Sequence, residues 1–477
     1  MRYSSVFFAS LLMTTVASAQ PARMSVTTGA VTANGVLMKY TATVQETFLP
    51  NNDSPAVSVI TTTYEKDNGD TLTRPVIFLF NGGPGASSSP LHMRAFGPVR
   101  LKKEADTTVQ INNAYSLLDV ADLVFIDPAG TGFTKTVDMS KAAVYWDVAN
   151  DAQATINIIK AWQKEHHRIA SPVFICGESY GTIRAGKMMG LAENFPVKGV
   201  MLFSADLDVS LVAPVSGNEM PYVLSLPSMA AIAWYHNKTS HVNRTVQQAF
   251  DEAAAFANSD YLQALVQGRQ LSEKQRGEVG AKLAALTGLP LQRVLDLNLR
   301  INTDDFEMLL LAAEGKRIGK LDGQVAVPVP KADKPYSSRD DPSLIVNTDI
   351  RKDYVGKYFT NTLQFPATGL YRGVNFDVNG RWQWASMDAY LGYYSVVPDL
   401  EKAIKENAHL KLLTAGGMYD LATALYATQY LLNHADIPKE RATVLAFPTG
   451  HSIFENEDEL AKLAAAVRNF VQSASKD

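Results

Sequence analysis

Three residues of the types used in nucleophilic catalysis stand far apart in the chain: Ser179, Asp420 and His451. Ser179 is the centre of a Gly-x-Ser-x-Gly pattern in residues 177–181. A serine hydroxyl is a weak nucleophile unless a base removes its proton, and an acid must hold that base in the correct tautomer. The chain order Ser, Asp, His therefore predicts Ser179 as nucleophile, His451 as base and Asp420 as the orienting acid.

The segment around Ser179 has the pattern of a strand, a sharp turn and a helix. Residues 172–176 form a short apolar run, typical of a buried strand in a parallel sheet, and residues 183–191 are rich in Ala, Met and Lys, which favours a helix. In this context Gly-x-Ser-x-Gly indicates a nucleophile elbow, which lifts the hydroxyl above the strand end. A plain strand-to-helix turn is the alternative interpretation.

Asp420 and His451 each follow an apolar run near the end of the chain. Residues 410–413 precede Asp420, and residues 442–447 precede His451 on a Pro-Thr-Gly loop. Either residue alone would suit a structural role, Asp420 as a helix N-cap and His451 as an ordinary loop histidine. Their shared position after late core strands favours the catalytic interpretation.

A glycine-rich loop follows another apolar run at residues 75–80. The loop reads Asn-Gly-Gly-Pro-Gly over residues 81–85. Such a loop can supply one backbone N–H of an oxyanion hole, and the residue after the nucleophile supplies the second. We therefore predict oxyanion donors at Gly83 and Tyr180. A tight turn without function would be preferred if the elbow were absent.

The alternation of these strands and helices predicts an α/β-hydrolase fold, with a mostly parallel central sheet, helices on both faces and an inserted, mainly helical cap. Antiparallel strands are expected at residues 24–80, with a hairpin at Ala33-Asn34-Gly35. Trp234, Tyr235, Trp382 and Trp384 in the cap could line a substrate pocket or form the core of the cap. The expected division is signal peptide 1–19, first core part 20–210, cap 211–398 with helices at 246–267, 272–286 and 291–301, and second core part 399–477.

Composition and the first residues indicate the compartment and the class of partner. A net charge of −4 in 477 residues provides no bulk attraction for nucleic acid or anionic membranes. A single cysteine, Cys176, excludes an intrachain disulfide and a cysteine-based metal site. Arg2, an apolar run at 6–13 and Ala17-Ser18-Ala19 form an export signal. We expect a bacterial periplasmic or extracellular protein, a monomer or homodimer, with no later membrane span.

Three segments resemble the signatures of the serine carboxypeptidase family: residues 81–88, 127–133 and 177–181. The resemblance covers the core on both sides of the cap, roughly half the chain. It implies release of C-terminal residues from peptides through an acyl-enzyme, without metal or cofactor. It also implies that Asn81 and Glu178 bind the carboxylate of a peptide with a free C-terminus. Since two carboxylates at hydrogen-bond distance cannot both ionise, one of them must carry a proton, and the family is accordingly most active in acid.

The chain departs from the family pattern at several positions. Ala95 stands where the family has a glutamate that pairs with the elbow glutamate, and Ser452 follows the histidine where methionine is usual. Phe80 replaces a tryptophan, Ala86 replaces a cysteine, and the family's disulfides are missing. Two other functions remain open: an esterase or acyltransferase with the same triad, and a non-catalytic binding protein on a hydrolase scaffold. The intact triad argues against the last.

Overall fold

The computed structural model describes nine parts of the chain. They are residues 22–51, 54–70, 72–104, 107–191, 197–239, 244–329, 341–347, 353–384 and 394–476. The export signal expected at residues 1–19 lies outside the described residues. No helix in these nine parts combines the length and the apolar character needed to cross a membrane.

The described residues form thirteen strands, nine of which belong to one central sheet. The strands are β1 (Met24–Ala33), β2 (Val36–Asn51), β3 (Ser54–Lys66), β4 (Val76–Phe80), β5 (Val99–Glu104), β6 (Thr107–Asn112), β7 (Asp122–Asp127), β8 (Val173–Glu178), β9 (Val197–Phe203), β10 (Lys316–Ile318), β11 (Ala326–Pro328), β12 (Lys411–Gly417) and β13 (Ala442–Phe447). The order in the central sheet is β1-β2-β3-β7-β4-β8-β9-β12-β13. Strands β5 and β6 form one separate pair, and β10 and β11 form another.

The sheet changes from antiparallel to parallel at β7. Strands β1, β2, β3 and β7 pair antiparallel, whereas the neighbours from β7 through β13 all run parallel. The predicted hairpin joins β1 to β2, with φ of 50° at Asn34 and 75° at Gly35. The loops that follow β4, β8, β12 and β13 therefore all leave the same edge of the sheet.

The central residues of the parallel strands β4, β7 and β8 are apolar because both faces of the sheet are covered, whereas Asp122, Asp127 and Glu178 stand at strand ends. Every residue of β4, β7 and β8 is buried. Alternate residues of β8 enter two different cores: Phe174 and Cys176 join one, and Val173 and Ile175 join the other. The helix at the end of the chain packs in the first core, and the helix after Ser179 packs in the second.

Fifteen α-helices surround the sheet or build the inserted region in the described residues. They are α1 (Met139–Ala142), α2 (Val148–Glu165), α3 (Tyr180–Leu191), α4 (Met220–Tyr235), α5 (Val246–Phe256), α6 (Leu262–Gln267), α7 (Glu273–Thr287), α8 (Leu291–Asp296), α9 (Thr303–Leu309), α10 (Pro342–Asn347), α11 (Tyr354–Lys357), α12 (Phe376–Gly380), α13 (Val397–Glu406), α14 (Leu425–His434) and α15 (Glu457–Ala474). The mostly parallel sheet with helices on both faces confirms the expected α/β-hydrolase fold.

Several helix boundaries differ from the sequence-based expectation. The helix expected at 291–301 ends at Asp296, and the helix expected at 246–267 is interrupted by a π-helical turn at Ala257–Tyr261. Helix α4 was not recognised, because nearly all of its faces are apolar and leave no amphipathic period to detect. Helix α4 lies at the centre of a third hydrophobic core, which also contains residues of α5, α7 and α9.

Candidate active site

Ser179 lies in the single-residue turn between β8 and α3. Its φ of 59° falls in the left-handed region, which a residue with a side chain rarely adopts. The Ser179 N–H donates to the carbonyl of Phe203 at 3.0 Å, and the Ser179 carbonyl accepts the N–H of Thr182 at 2.8 Å. The end of β9 and the first turn of α3 thus hold the backbone in the strained form that a nucleophile elbow requires.

The glycine-rich loop after β4 touches the elbow backbone directly. A Cβ added to Gly82 would lie 2.4 Å from the N atom of Tyr180, so only glycine permits this approach. The next residue, Gly83, has a φ of 101°, which also favours glycine. Tyr180 begins α3, so its N–H is among the four that have no carbonyl partner within a helix. The two predicted oxyanion donors are therefore on touching segments.

Asp420 and His451 are hydrogen bonded, Oδ2 to Nδ1 at 2.7 Å. The fully buried Asp420 also accepts the hydroxyl of Thr423 on Oδ2 at 2.6 Å. Its Oδ1 accepts the N–H groups of Ala422 and Thr423 at 2.8 and 3.1 Å. Asp420 therefore contacts His451 and closes a local turn through Oδ1, but it is not a helix N-cap, because α14 begins after Ala424. Thr423 stands three residues after Asp420, a spacing at which a hydroxyl can bond an aspartate. The sequence could therefore have indicated this contact.

The backbone of His451 is held on both sides. Its N–H donates to the carbonyl of Leu321 at 2.6 Å, and its carbonyl accepts the hydroxyl of Ser204. Burial opposes the charged imidazolium, but the Asp420 carboxylate, with smaller contributions from the charges of Glu178 and Asp341, raises the pKa of His451 to about 9. The carboxylate thus stabilises the positive charge that a general base acquires when it accepts a proton.

Glu178 and Asn81 form a buried pair beside Ser179. The Asn81 amide donates to one carboxyl oxygen of Glu178, and the hydroxyl of Ser452 donates to the other at 3.2 Å. Only 3% of Glu178 is exposed, and this burial is the main reason that its pKa rises to about 7. The bond from Ser452 also joins the residue after His451 to the residue before Ser179.

Ala95 provides no carboxyl partner for Glu178, but the charge of Glu455 acts on Glu178 from a distance. Ala95 is fully buried. The charge of Glu455 contributes to the raised pKa of Glu178, after burial. Glu455 itself forms an ion pair with Arg94, with 2.6 Å between Nη1 and Oε1. The electrostatic role of Glu455 depends on the folding of the loop after β13 and has no signal in the sequence.

Two further carboxyl groups face the same region and were missed. Burial raises the pKa of Asp206 and that of Asp322 to about 6 each. Asp206 follows β9, between the strands that carry Ser179 and Asp420, so its place at the strand end was detectable. Asp322 lies in the inserted region, and only the tertiary structure brings it next to Gly450.

Asp127, from the second signature, supports the loop of the first. The hydroxyl and N–H of Ser88 donate to its Oδ1 at 2.7 and 2.8 Å. The hydroxyl of Tyr371 donates to its Oδ2 at 2.8 Å. Residues 81–88 and 127–133 are thus joined by a buried carboxyl group, which explains why they occur together without assigning Asp127 any chemistry.

A buried ion pair joins the two segments that carry the predicted oxyanion donors to α2. Arg184 Nε donates to Asp151 Oδ2 at 2.7 Å, and Arg184 Nη1 donates to the carbonyl of Asn81 at 2.8 Å. The Tyr180 hydroxyl donates to the same Asp151 oxygen at 3.0 Å. The guanidinium also lies over the Phe80 ring, 5.1 Å from its centroid. The network connects the loop after β4 to the residue after the elbow serine.

We expect Asp151→Asn to lower the free energy of unfolding by about 3–5 kcal/mol, because it leaves the Arg184 charge buried without its partner. Denaturant unfolding measures this directly. Glu278→Gln, which breaks an exposed pair with Lys274, is the control and should cost under about 0.5 kcal/mol. Equal, small losses in both variants would contradict the assigned role of the buried pair.

Two of the aromatic residues of the inserted region, Trp382 and Trp384, are partly buried and contact Tyr180, the residue after Ser179. Trp382 and Trp384 make edge-on contacts with the Tyr180 ring, at centroid distances of 5.0 and 5.7 Å, and pack against the second core. Tyr235 is 41% exposed and lies 5.4 Å from the Tyr419 ring. For the two tryptophans, packing is therefore the better supported of the two interpretations. Within the described parts of the chain, no group of three His, Cys, Asp or Glu residues could hold a metal ion.

Comparison with known proteins gives a family relation over part of the chain. Residues 62–189 match the family described as serine carboxypeptidase. Serine carboxypeptidase-like 47 of Arabidopsis thaliana is 34% identical over 120 residues, which are 24% of this chain and 22% of that protein. Pheromone-processing carboxypeptidase KEX1 of Debaryomyces hansenii is 32% identical over 142 residues, 26% of this chain and 19% of that protein. Serine carboxypeptidase ctsa-3.2 of Caenorhabditis elegans is 27% identical over 180 residues, with coverages of 35% and 31%. The matches therefore span less than a third of these curated relatives.

Solved structures that resemble the chain share less sequence identity with it than the curated relatives do. A proline iminopeptidase of Mycobacterium smegmatis has a TM-score of 0.39 and 12% identity, covering 90% of this chain and 98% of that one. The peroxisomal α/β-hydrolase Lpx1 of Saccharomyces cerevisiae has a TM-score of 0.41 and 10% identity, with coverages of 94% and 90%. The fold assignment rests on the strand order and the elbow described above.

Proposed function

We propose, from the relation of residues 62–189 to the serine carboxypeptidase family, that this serine hydrolase removes C-terminal residues from peptides. The observation that carries the proposal is the buried pair of Asn81 and Glu178 next to Ser179. An acidic side chain beside a nucleophile would oppose the oxyanion if it were charged. A neutral Glu178 that donates to a substrate carboxylate removes this conflict.

The proposed reaction uses Ser179, His451 and Asp420. His451 accepts the Ser179 hydroxyl proton as the oxygen attacks the scissile carbonyl, and the Asp420 carboxylate stabilises the imidazolium. The N–H groups of Gly83 and Tyr180 would donate to the oxyanion. His451 then protonates the leaving amine, which departs as the released C-terminal residue. Water, deprotonated by His451, hydrolyses the acyl-enzyme and regenerates Ser179.

The pH dependence of substrate recognition follows from the Glu178 carboxyl. With its pKa at about 7, Glu178 is neutral in acid and can donate a hydrogen bond to a carboxylate, whereas above neutrality its charge repels the substrate. The Asn81 amide donates at any pH. A peptide with an amidated C-terminus lacks the charge that strengthens these bonds, each worth about 1.5–3 kcal/mol.

The test compares kcat/KM for matched free-acid and amidated peptides between pH 5 and 9. We expect the free-acid peptide to be preferred about 10-fold or more in acid, and the preference to decline as pH rises through about 7. In Glu178→Gln the preference should not change with pH, because glutamine keeps a donor and does not titrate. Titration of His451 affects both peptides equally and cancels in the ratio.

A preference ratio near one at every pH, in both enzymes, would remove the carboxypeptidase assignment. The missing carboxyl partner at Ala95 favours an esterase or acyltransferase in that case. Ester substrates without a free carboxylate, assayed over the same pH range, then separate these alternatives from a protein with no hydrolytic activity.

A further inference from the structure

A short segment of the inserted region, residues 319–325, lies against both loops that carry Asp420 and His451. We call it the cap strap. Three backbone hydrogen bonds join it to these loops: Gly323 N–H to the Tyr419 carbonyl at 2.9 Å, Leu421 N–H to the Lys320 carbonyl at 2.9 Å, and His451 N–H to the Leu321 carbonyl at 2.6 Å. The residues on both sides of Asp420, and His451 itself, are thus bonded to one segment that is distant in sequence.

The contact leaves no space for adjustment. A Cβ added to Gly450 would lie 2.6 Å from both the Cβ and the Cγ of Asp322 in the cap strap. A Cβ added to Gly417 would lie 2.1 Å from the carbonyl oxygen of Gly450. A displacement of the cap strap toward Gly450 must therefore move the loop that carries His451.

The opposite side of the cap strap is held by Asp341 and Ser343. Asp341, 2% exposed, accepts the N–H groups of Lys320 and Leu321 on Oδ2, at 2.8 and 3.1 Å. Its Oδ1 accepts the N–H of Ser343 at 2.7 Å. The Ser343 hydroxyl oxygen accepts the N–H of Asp322 at 3.0 Å.

These bonds orient two successive peptide groups from both sides. In the group between Lys320 and Leu321, the N–H donates to Asp341 and the carbonyl accepts from Leu421. In the next group, the N–H of Asp322 donates to Ser343, and the Leu321 carbonyl accepts from His451. Because a peptide group is planar, fixing the direction of its N–H also fixes the direction of its carbonyl.

We propose that Asp341 and Ser343 are positioning residues for catalysis, which act through the cap strap to orient the backbone of His451 and of the residue after Asp420. The inference rests on the proposed function, because it takes His451 as the base and Asp420 as its acid. It adds that the inserted region is part of the catalytic apparatus and does not only cover the strand ends.

Asp341→Asn tests the proposal, because asparagine has the volume of aspartate but only one acceptor oxygen. Its NH₂ must face either the N–H groups of Lys320 and Leu321 or that of Ser343, and the bonds on that side are lost. We expect kcat to fall roughly 10- to 100-fold, with KM within about twofold of the wild type. The rate of labelling by a fluorophosphonate probe should fall in parallel. The downfield proton NMR signal of the imidazole N–H bonded to Asp420 should shift or broaden. Ser343→Ala removes one hydroxyl oxygen and should lower kcat and the labelling rate by a smaller factor. It replaces Asp341→Asn as the test variant if Asp341→Asn does not fold.

Asp304→Asn is the control for loss of a carboxylate next to the cap strap, and the uncharged change Ser343→Ala separates the positioning role from a direct effect of the Asp341 charge on His451. The Asp304 carboxylate binds the side-chain Nζ of Lys320 at 2.5 Å, so this variant removes a charge next to the cap strap and leaves its peptide groups bonded. It should label at the wild-type rate. Wild-type labelling and an unchanged imidazole signal in folded Asp341→Asn or Ser343→Ala would overturn the positioning role. The fluorophosphonate probe needs no peptide substrate, so the two proposals can fail separately. If the carboxypeptidase proposal fails, the wild-type enzyme is still labelled but shows no preference for free-acid peptides.

Discussion

Ser179→Ala is expected to lower kcat by about 10⁴-fold or more while leaving the fold intact. Alanine removes the proposed nucleophile but keeps a Cβ at the left-handed φ of 59°, so the strain of the elbow is unchanged. The measurements are peptide turnover, fluorophosphonate labelling and circular dichroism. His451→Ala should be about as damaging, and the double variant little worse than either, because nucleophile and base act as one unit.

Ser259→Ala is the control for the serine substitution. The Ser259 hydroxyl donates to the carbonyl of Ala255 on the surface of the inserted region, so its loss should leave turnover and labelling at wild-type levels. Turnover near the wild-type value in Ser179→Ala, with an unchanged dichroism spectrum, would exclude Ser179 from the mechanism.

Asp420→Asn is expected to lower kcat by about 10⁴-fold through the wrong imidazole tautomer. The two N–H donors at Oδ1, from Ala422 and Thr423, require an oxygen there, so the new NH₂ must take the place of Oδ2. It would then face His451 Nδ1, which must become an acceptor, and the proton moves to Nε2. A protonated Nε2 cannot receive the Ser179 proton.

Asp436→Asn provides the comparison for the acid. Asp436 is exposed, and its N–H donates to the carboxylate of Glu401 at 2.7 Å, away from His451. We expect wild-type kcat in this variant, and loss of the imidazole N–H signal only in Asp420→Asn, where the proton leaves Nδ1. A large loss of kcat in Asp436→Asn together with a small one in Asp420→Asn would reverse the assignment of the acid.

The strands and turns around the site were predictable because their causes are local. An unbroken apolar run produces a strand buried on both faces, as in β4 and β8, and Asn34-Gly35 produces the hairpin by its tolerance of positive φ. The position of Asp420 and His451 after late strands follows from the same local patterns. The helical character of α4 does not follow from such patterns. Nearly every side of this helix is apolar, so its sequence shows no alternation of apolar and polar residues at the helical period.

The neighbours of the site residues were decided by the tertiary structure. Strand β4 precedes β7 in the chain but lies between β7 and β8 in the sheet, and this crossover brings Gly82 against Tyr180. Glu178, whose pKa is raised by burial, is bonded to Asn81, which precedes the inserted region in the chain, and to Ser452, which follows it.

The sequence by itself therefore determined which residue types follow the strands and the sheet edge at which they lie, because strand length, glycine placement and apolar runs act over a few neighbouring residues. Only the tertiary structure decided what surrounds them: the bonded pair of Asn81 and Glu178, the charge of Glu455 that acts on Glu178, and the cap strap that reaches His451. These contacts join residues up to several hundred positions apart, and packing of the whole chain selects them.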